Sequence, residues 1–248
     1  MAENYSAFAA IYDRLILEDI DYTKIADYIE ATLKRLGIKA ELVCDLACGT
    51  GTLTDILSKR GYDMIGIDLS TEMLNVAREK NPDILFLNQD ICEFELYGTV
   101  DVTVSCLDCI NHLTDTKSLK QCFALVHNYL IPNGLFIFDI NGKYKFENTY
   151  SDNSYVMEED GRICIWQNYY NQKNKICDFY ITLFEETSDG RYKRYDDMQR
   201  EKMYTVRSIK ENLVKCGFEF IGAYRNFDFD EATDGDERIY VVARCIKE

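Results

Sequence analysis

From Glu41 onward, short apolar runs alternate with stretches of helical period, and this alternation constrains the fold more than any other feature of the chain. Such a rhythm builds βαβ units and a parallel sheet with helices on its faces. The predicted strands are 41–47, 64–69, 83–88, 100–107 and 134–140. A helix from Asp21, stopped by Gly37, precedes the first and buries Ile25, Tyr28, Ile29, Leu33 and Leu36. Another starts at Thr52 and is stopped by Gly61, and a third is capped by Ser70, turns Met73, Leu74 and Ala77 inward and ends at Pro82. A fourth carries Leu119, Cys122, Phe123, Val126 and Leu130. After Ile140 the rhythm changes to successive strand-like runs at 154–158, 162–169, 176–185 and 192–203. Asp160-Gly161 and Asp189-Gly190 between them are hairpin signals, because a type I′ turn needs φ > 0 at both central residues. Cys177, Phe179, Ile181 and Leu183 alternate with Asp178 and Thr182, which predicts a half-buried strand. A helix from Thr205 and strands at 218–224 and 238–245 close the chain, the last of them antiparallel. The expected fold class is α/β: a core with a helical amino-terminal cap over 1–146, an inserted antiparallel β lid over 147–203, and 204–248 completing the core.

Charge narrows the partners. The 248 residues carry 43 acidic against 28 basic side chains, a formal net charge of -15. Nucleic acid is met by basic faces that release counterions, so a nucleic-acid partner is disfavoured, and anionic membranes would be repelled. No apolar run reaches the length of a membrane span. The first residues lack a basic and then apolar leader, and ten cysteines are scattered without a framework, which points to the cytoplasm. Cys106 and Cys109 form a single C-x-x-C with no second pair, so free thiols are expected and no metal.

Asp45-Leu46-Ala47-Cys48-Gly49-Thr50-Gly51 places an acid near the end of an apolar strand and two glycines in the turn to a helix. Glycines there let backbone amides approach a ligand closely. A dinucleotide-binding turn needs G-x-G-x-x-G, and here Thr54 occupies the third position, which argues against the alternative of an NAD-dependent oxidoreductase. Asp68 ends the second predicted strand, where it can accept both hydroxyls of a ribose, and Asp90 with Ile91 follows the third. The pattern resembles motif I and the following acidic motifs of class I S-adenosylmethionine (SAM) dependent methyltransferases, closely over 41–141. The resemblance implies a Rossmann-like seven-stranded sheet of order 3-2-1-4-5-7-6 and SAM as cofactor. It implies cofactor contacts from Asp45, Ala47, Cys48, Gly49, Gly51, Asp68, Leu69, Met73, Asp90, Ile91 and Cys106.

Tyr5-x-x-Phe8-x-x-x-Tyr12-Asp13 is similar to a segment of the small-molecule branch, which includes glycine and amino-sugar N-methyltransferases. There an aromatic helix folds over the cofactor; a helix burying Tyr5, Phe8 and Tyr12 would have the same sequence. The expected reaction moves a methyl group from SAM to an N or O nucleophile of a small molecule. A non-catalytic SAM-binding module and an RNA or protein methyltransferase are the alternatives. Tyr12 and His112 are the catalytic candidates, although an amine acceptor needs no histidine base and His112 fits a structural or exposed role as well. Tyr12, Asn111, Trp166 and Tyr169 are the acceptor-side candidates, and a homodimer is left open. His127, the other histidine, falls on the polar side of its helix without a functional signal.

Overall fold

The computed structural model describes residues 20–159, 161–225 and 227–247. Within them a seven-stranded sheet runs in the order β3 (Leu85–Asn88), β2 (Asp63–Asp68), β1 (Leu42–Leu46), β4 (Val100–Ser105), β5 (Leu130–Asn141), β11 (Arg238–Cys245), β10 (Phe218–Arg225). β11 pairs antiparallel with β5 and with β10, while β1 to β5 are mutually parallel. This is the expected order.

Side-chain alternation along the central strands builds one core on each face of the sheet. Cys44, Leu46, Phe136, Phe138 and Val241 point to one face, where α4 (Thr116–Tyr129) and α5 (Val206–Lys215) supply Phe123, Val126, Ile209 and Leu213. Val43, Val102, Val104, Ile137 and Val242 point to the other, against α1 (Tyr22–Leu36) and α2 (Thr52–Lys59). The remaining helix, α3 (Thr71–Lys80), packs Leu74 and Ala77 on Phe86. The caps are those the sequence signals: Asp21 accepts from Lys24 N, Ser70 from Met73 N and Thr205 from Ser208 N, and Gly37 ends α1 at φ 67°.

The chain between β5 and α5 forms a separate antiparallel sheet, β6 (Ser154–Glu159), β7 (Arg162–Asn171), β8 (Ile176–Glu186) and β9 (Tyr192–Lys202). Cys177, Phe179, Ile181 and Leu183 form its buried face, as alternation predicts. Phe146 belongs to the core of this insertion: it sits in a π-helical turn, Lys145–Tyr150, and packs on Cys177, Phe179 and Met203. β5 begins earlier than its apolar run suggests, because Leu130 pairs with Val100 before an irregularity carries Asn133 to φ 65°. Among the described residues no helix is long and apolar enough to cross a membrane.

Candidate active site

The carboxyl ends of the parallel strands meet in a crevice on the side of β1 and β4. Past β1 the chain swings through left-handed backbone at Ala47 (φ 62°), Gly49 (φ 55°) and Gly51 (φ 72°). A Cβ on Gly49 would meet nothing within 4 Å, so its bare side faces open space. A Cβ on Gly51 would stand 2.9 Å from that of Ala77 and 3.1 Å from the Phe86 ring, so this glycine admits α3 and β3 instead. Asp68 ties the turn to β2: its Oδ2 accepts from Gly49 N at 2.8 Å and its Oδ1 from Ser70 N at 2.8 Å. Burial raises its pKa against those two amides. Asp45 is 2% exposed and accepts from Thr54 Oγ1 at 2.5 Å. The threonine in the third-glycine position is therefore a partner of the motif's acid.

Asp45, Ala47, Cys48, Gly49 and Cys106 line one cleft together with Leu107 and Cys109 from the segment after β4, and with Tyr22 and Leu53, for which motif spacing carries no signal. Tyr22 and Leu53 arrive because α1 and α2 flank β1. Cys109 Sγ donates to Cys106 O at 3.0 Å, and both are free thiols whose pKa burial drives well above the usual value. Beyond Asp68, Leu69 is an exposed side chain, Asp90 Oδ1 accepts from Cys92 N at 2.7 Å, and Ile91 packs on the core. Met73 packs on the small core of the insertion, beside Cys164, Ile181 and Leu183. Five of the eleven expected cofactor positions, Asp45, Ala47, Cys48, Gly49 and Cys106, thus share one cleft, and Gly51 packs behind its turn.

A second polar cluster sits where the insertion meets the crevice. Leu107 (φ 64°) and Asp108 (φ 56°) turn the chain into the 3-10 turn Cys109–His112. Asp108 Oδ1 accepts from Arg238 Nη2 at 2.8 Å, and Arg238 Nη1 also donates to the fully buried Asp139. Burial would raise the Asp108 carboxyl, but the charges of Arg238, Lys145 and His112 and the Arg238 hydrogen bond together outweigh it and the pKa is lowered. Asn141 Nδ2 donates to Glu201 Oε2 and to Tyr150 OH, each at 2.9 Å, and Asn141 Oδ1 accepts from Lys145 Nζ at 3.0 Å. Glu201 comes from β9 and is 4% exposed; burial, with the charge of Asp108, pushes its carboxyl well above the ordinary range. One ligand atom from each of Asp108, His112 and Glu201 lies within 4.8 Å of the others.

The acceptor-side candidates separate. Tyr12 lies outside the described residues, as do Tyr5 and Phe8. Asn111 is fully buried and spends its amide on structure: Oδ1 accepts from Asn141 N at 2.9 Å and Nδ2 donates to Lys202 O at 2.8 Å, pinning the insertion to the core. His112 is exposed at the edge of the polar cluster. Trp166 stands on the buried face of the insertion, paired with Ile181, and its Nε1 is buried with no hydrogen-bond partner. Tyr169 pairs with Asp178 on the opposite face, is 52% exposed and packs on Tyr180, so it does not meet the crevice. His127 carries a structural signal that its helix position hides: Nε2 lies 3.0 Å from Ile246 O and its ring stands edge-on to Phe218. Glu201 and Arg238 went without a motif because their meeting with Asp108 depends on register between strands far apart in sequence.

Comparison with known proteins agrees with this architecture. A family model described as a methyltransferase domain matches residues 43–134. YqeM of Bacillus subtilis, named as a methyltransferase, is 30% identical over 98% of this chain and 98% of its own length. The crystal structure of an S-adenosylmethionine-dependent methyltransferase from Clostridium acetobutylicum superposes with a TM-score of 0.88 at 30% identity, over 98% of this chain and 99% of that one. An N,N-dimethyltransferase of a dTDP-linked amino sugar from Streptomyces venezuelae is 29% identical over 62% of this chain and 65% of its own. Matched over nearly its whole length at 30% identity by a methyltransferase and by a SAM-dependent methyltransferase structure, the chain belongs to the class I SAM-dependent methyltransferases.

Proposed function

We propose that this enzyme moves a methyl group from SAM to an amine nitrogen of a small molecule, with the inserted sheet acting as a lid over the acceptor. One observation carries the reading: Leu107 and Cys109 line the cofactor cleft, and Asp108 between them joins the carboxylate cluster beneath the insertion. A cationic amine suits such a place and a chain of net charge -15. The Streptomyces relative is named for an N,N-dimethylated amino sugar, which supports the same acceptor class.

The crevice suits the cofactor on its own geometry. Gly49 leaves open space where a ligand must touch backbone, and each Asp68 oxygen keeps a lone pair for a ribose hydroxyl beside its amide bond. Leu69, Met73, Asp90 and Ile91 would bound the adenine, and the carbonyl of Cys106 would face the amino group of the methionine part. Bound SAM supplies an electrophilic methyl carbon on a sulfonium. The protein's share is to align the amine with that carbon and to exclude water, the task assigned to the buried face around Trp166 and Phe179.

Calorimetric titration tests the cofactor assignment. Charge-assisted bonds to two hydroxyls are worth roughly 1.5 to 3 kcal/mol each at best, so Asp68→Ala should weaken SAM by at least about tenfold while NADH binds neither protein. Unchanged SAM affinity in a folded variant removes Asp68 from the site. Release of S-adenosylhomocysteine in the presence of amine, carboxylate and tRNA acceptors tests the substrate class, and turnover confined to the latter two refutes an amine.

A further inference from the structure

We propose that Glu201, carried in by the last strand of the inserted sheet, is the catalytic proton acceptor for the amine, and that His112 passes the proton to solvent. The proposal rests on the amine-methyltransferase reading above. Glu201 is 4% exposed, yet among the described residues it makes no salt bridge; its Oε2 accepts from the neutral amide of Asn141. A buried carboxylate in that state is costly unless something charged or protic completes it.

The two cations near Glu201 are bonded to other groups. Arg238 on β11 is committed to Asp108 and Asp139, and Lys145 on the π-helical turn to Asn141 Oδ1. Tyr150 from the same turn meets Asn141, Cys177 on β8 faces Glu201 across the strand pair, and Asp108 at the end of β4 adds negative charge. Asp108, His112 and Glu201 converge within 4.8 Å; of the three His112 is exposed, Asp108 half-buried and Glu201 buried. Burial and the nearby Asp108 raise the proton affinity of Glu201, which is what a base for an ammonium group needs near neutral pH.

The balance is simple. The entering ammonium gives one proton to Glu201 and becomes a nucleophilic amine. The N–C bond then forms as the S–C bond breaks, leaving S-adenosylhomocysteine and a methylated ammonium. The proton on Glu201 leaves through the imidazole of His112. One ammonium and one SAM yield one methylammonium product, one S-adenosylhomocysteine and one proton.

The test compares wild type, Glu201→Gln and His112→Gln, with dTDP-3-amino-3,6-dideoxyglucose and glucosamine as amine probes and S-adenosylhomocysteine release as the readout from pH 6 to 10. Glu201→Gln preserves shape and the Asn141 contact; circular dichroism and SAM affinity should match wild type. Its kcat/KM should fall at least about a hundredfold at pH 7, within the usual range for a general base, and recover as the pH approaches the pKa of the free ammonium. His112→Gln should lose several-fold and regain turnover with added imidazole. Wild-type turnover with a pH profile that Glu201→Gln reproduces overturns the role of Glu201 alone. No release by wild type from either amine overturns the amine reading itself and the proton role with it. Turnover that EDTA abolishes and Mn2+ restores makes the cluster a metal site and overturns the proposal. If Glu201→Gln does not fold, the exposed His112 decides: full activity of His112→Gln without imidazole overturns the relay.

Discussion

A carboxyl group shut away from water holds its proton more tightly, and Asp45 illustrates the consequence for the fold. Burial pushes it up to about 7, against the hydrogen bond from Thr54 and with the charge of Asp68 adding to the rise. The unfolded chain releases the same proton near 3.9, so between about pH 4 and 7 the native state binds more protons than the unfolded one. Stability therefore falls as pH rises through that window, is fully present below it, and is flat in this respect above it. Asp45→Asn keeps an acceptor for Thr54 Oγ1 and removes the titration. Urea unfolding of wild type should lose up to ~1.4 kcal/mol per pH unit across the window relative to the variant. Parallel stability curves for the two proteins would show that Asp45 does not titrate there.

At the scale of the element, the two motif glycines divide by what lies beside them. Gly51→Val drives a side chain into Ala77 and Phe86 and should unfold or strongly destabilise the β1–α2 turn, at a cost of about 1 to 3 kcal/mol or more for overpacking alone. The Cβ of Gly49→Val meets nothing within 4 Å, so the main cost is its left-handed φ, and the variant should keep the fold while losing SAM. Equal melting temperatures for both variants would contradict this division. Spacing shows that both glycines matter but not why, since the neighbours of Gly51 come from α3 and β3. The parallel core was legible because period and caps are local: Ser70, Thr205 and Gly37 sit at the helix ends they signal. Alternation likewise tells which side chains of the insertion share a face. It does not tell which neighbouring strand residues join them, and that register puts Trp166 with Phe179 inside and Tyr169 with Tyr180 outside. Glu201 stayed hidden for the same reason: nothing local in its strand signals Asn141, 60 residues earlier.

For the whole molecule, the question is whether binding and turnover reside in separable parts. The insertion leaves β5 and returns to α5 at neighbouring places, since Asn141 holds Glu201 and Asn111 holds both Asn141 N and Lys202 O. A short Gly/Ser bridge from Lys145 to Tyr204 should therefore close the gap at modest entropic cost. The cut begins at Phe146 because that ring packs with Cys177, Phe179 and Met203, and leaving it behind would expose it. Tyr204 stays, since its hydroxyl donates to Leu113 O and its ring packs in the main core. All eleven positions expected to contact SAM lie outside the deleted stretch, although Met73 loses its packing on Cys164, Ile181 and Leu183. SAM affinity should accordingly fall less than tenfold, whereas methyl transfer should be lost, because Glu201, Trp166 and Phe179 leave with the lid. If the insertion instead serves association between copies, its removal will lower the mass in solution and spare turnover in each subunit. Sedimentation, SAM titration and S-adenosylhomocysteine release on the same folded deletion variant separate the two roles, and wild-type turnover without the insertion would end its standing as a lid.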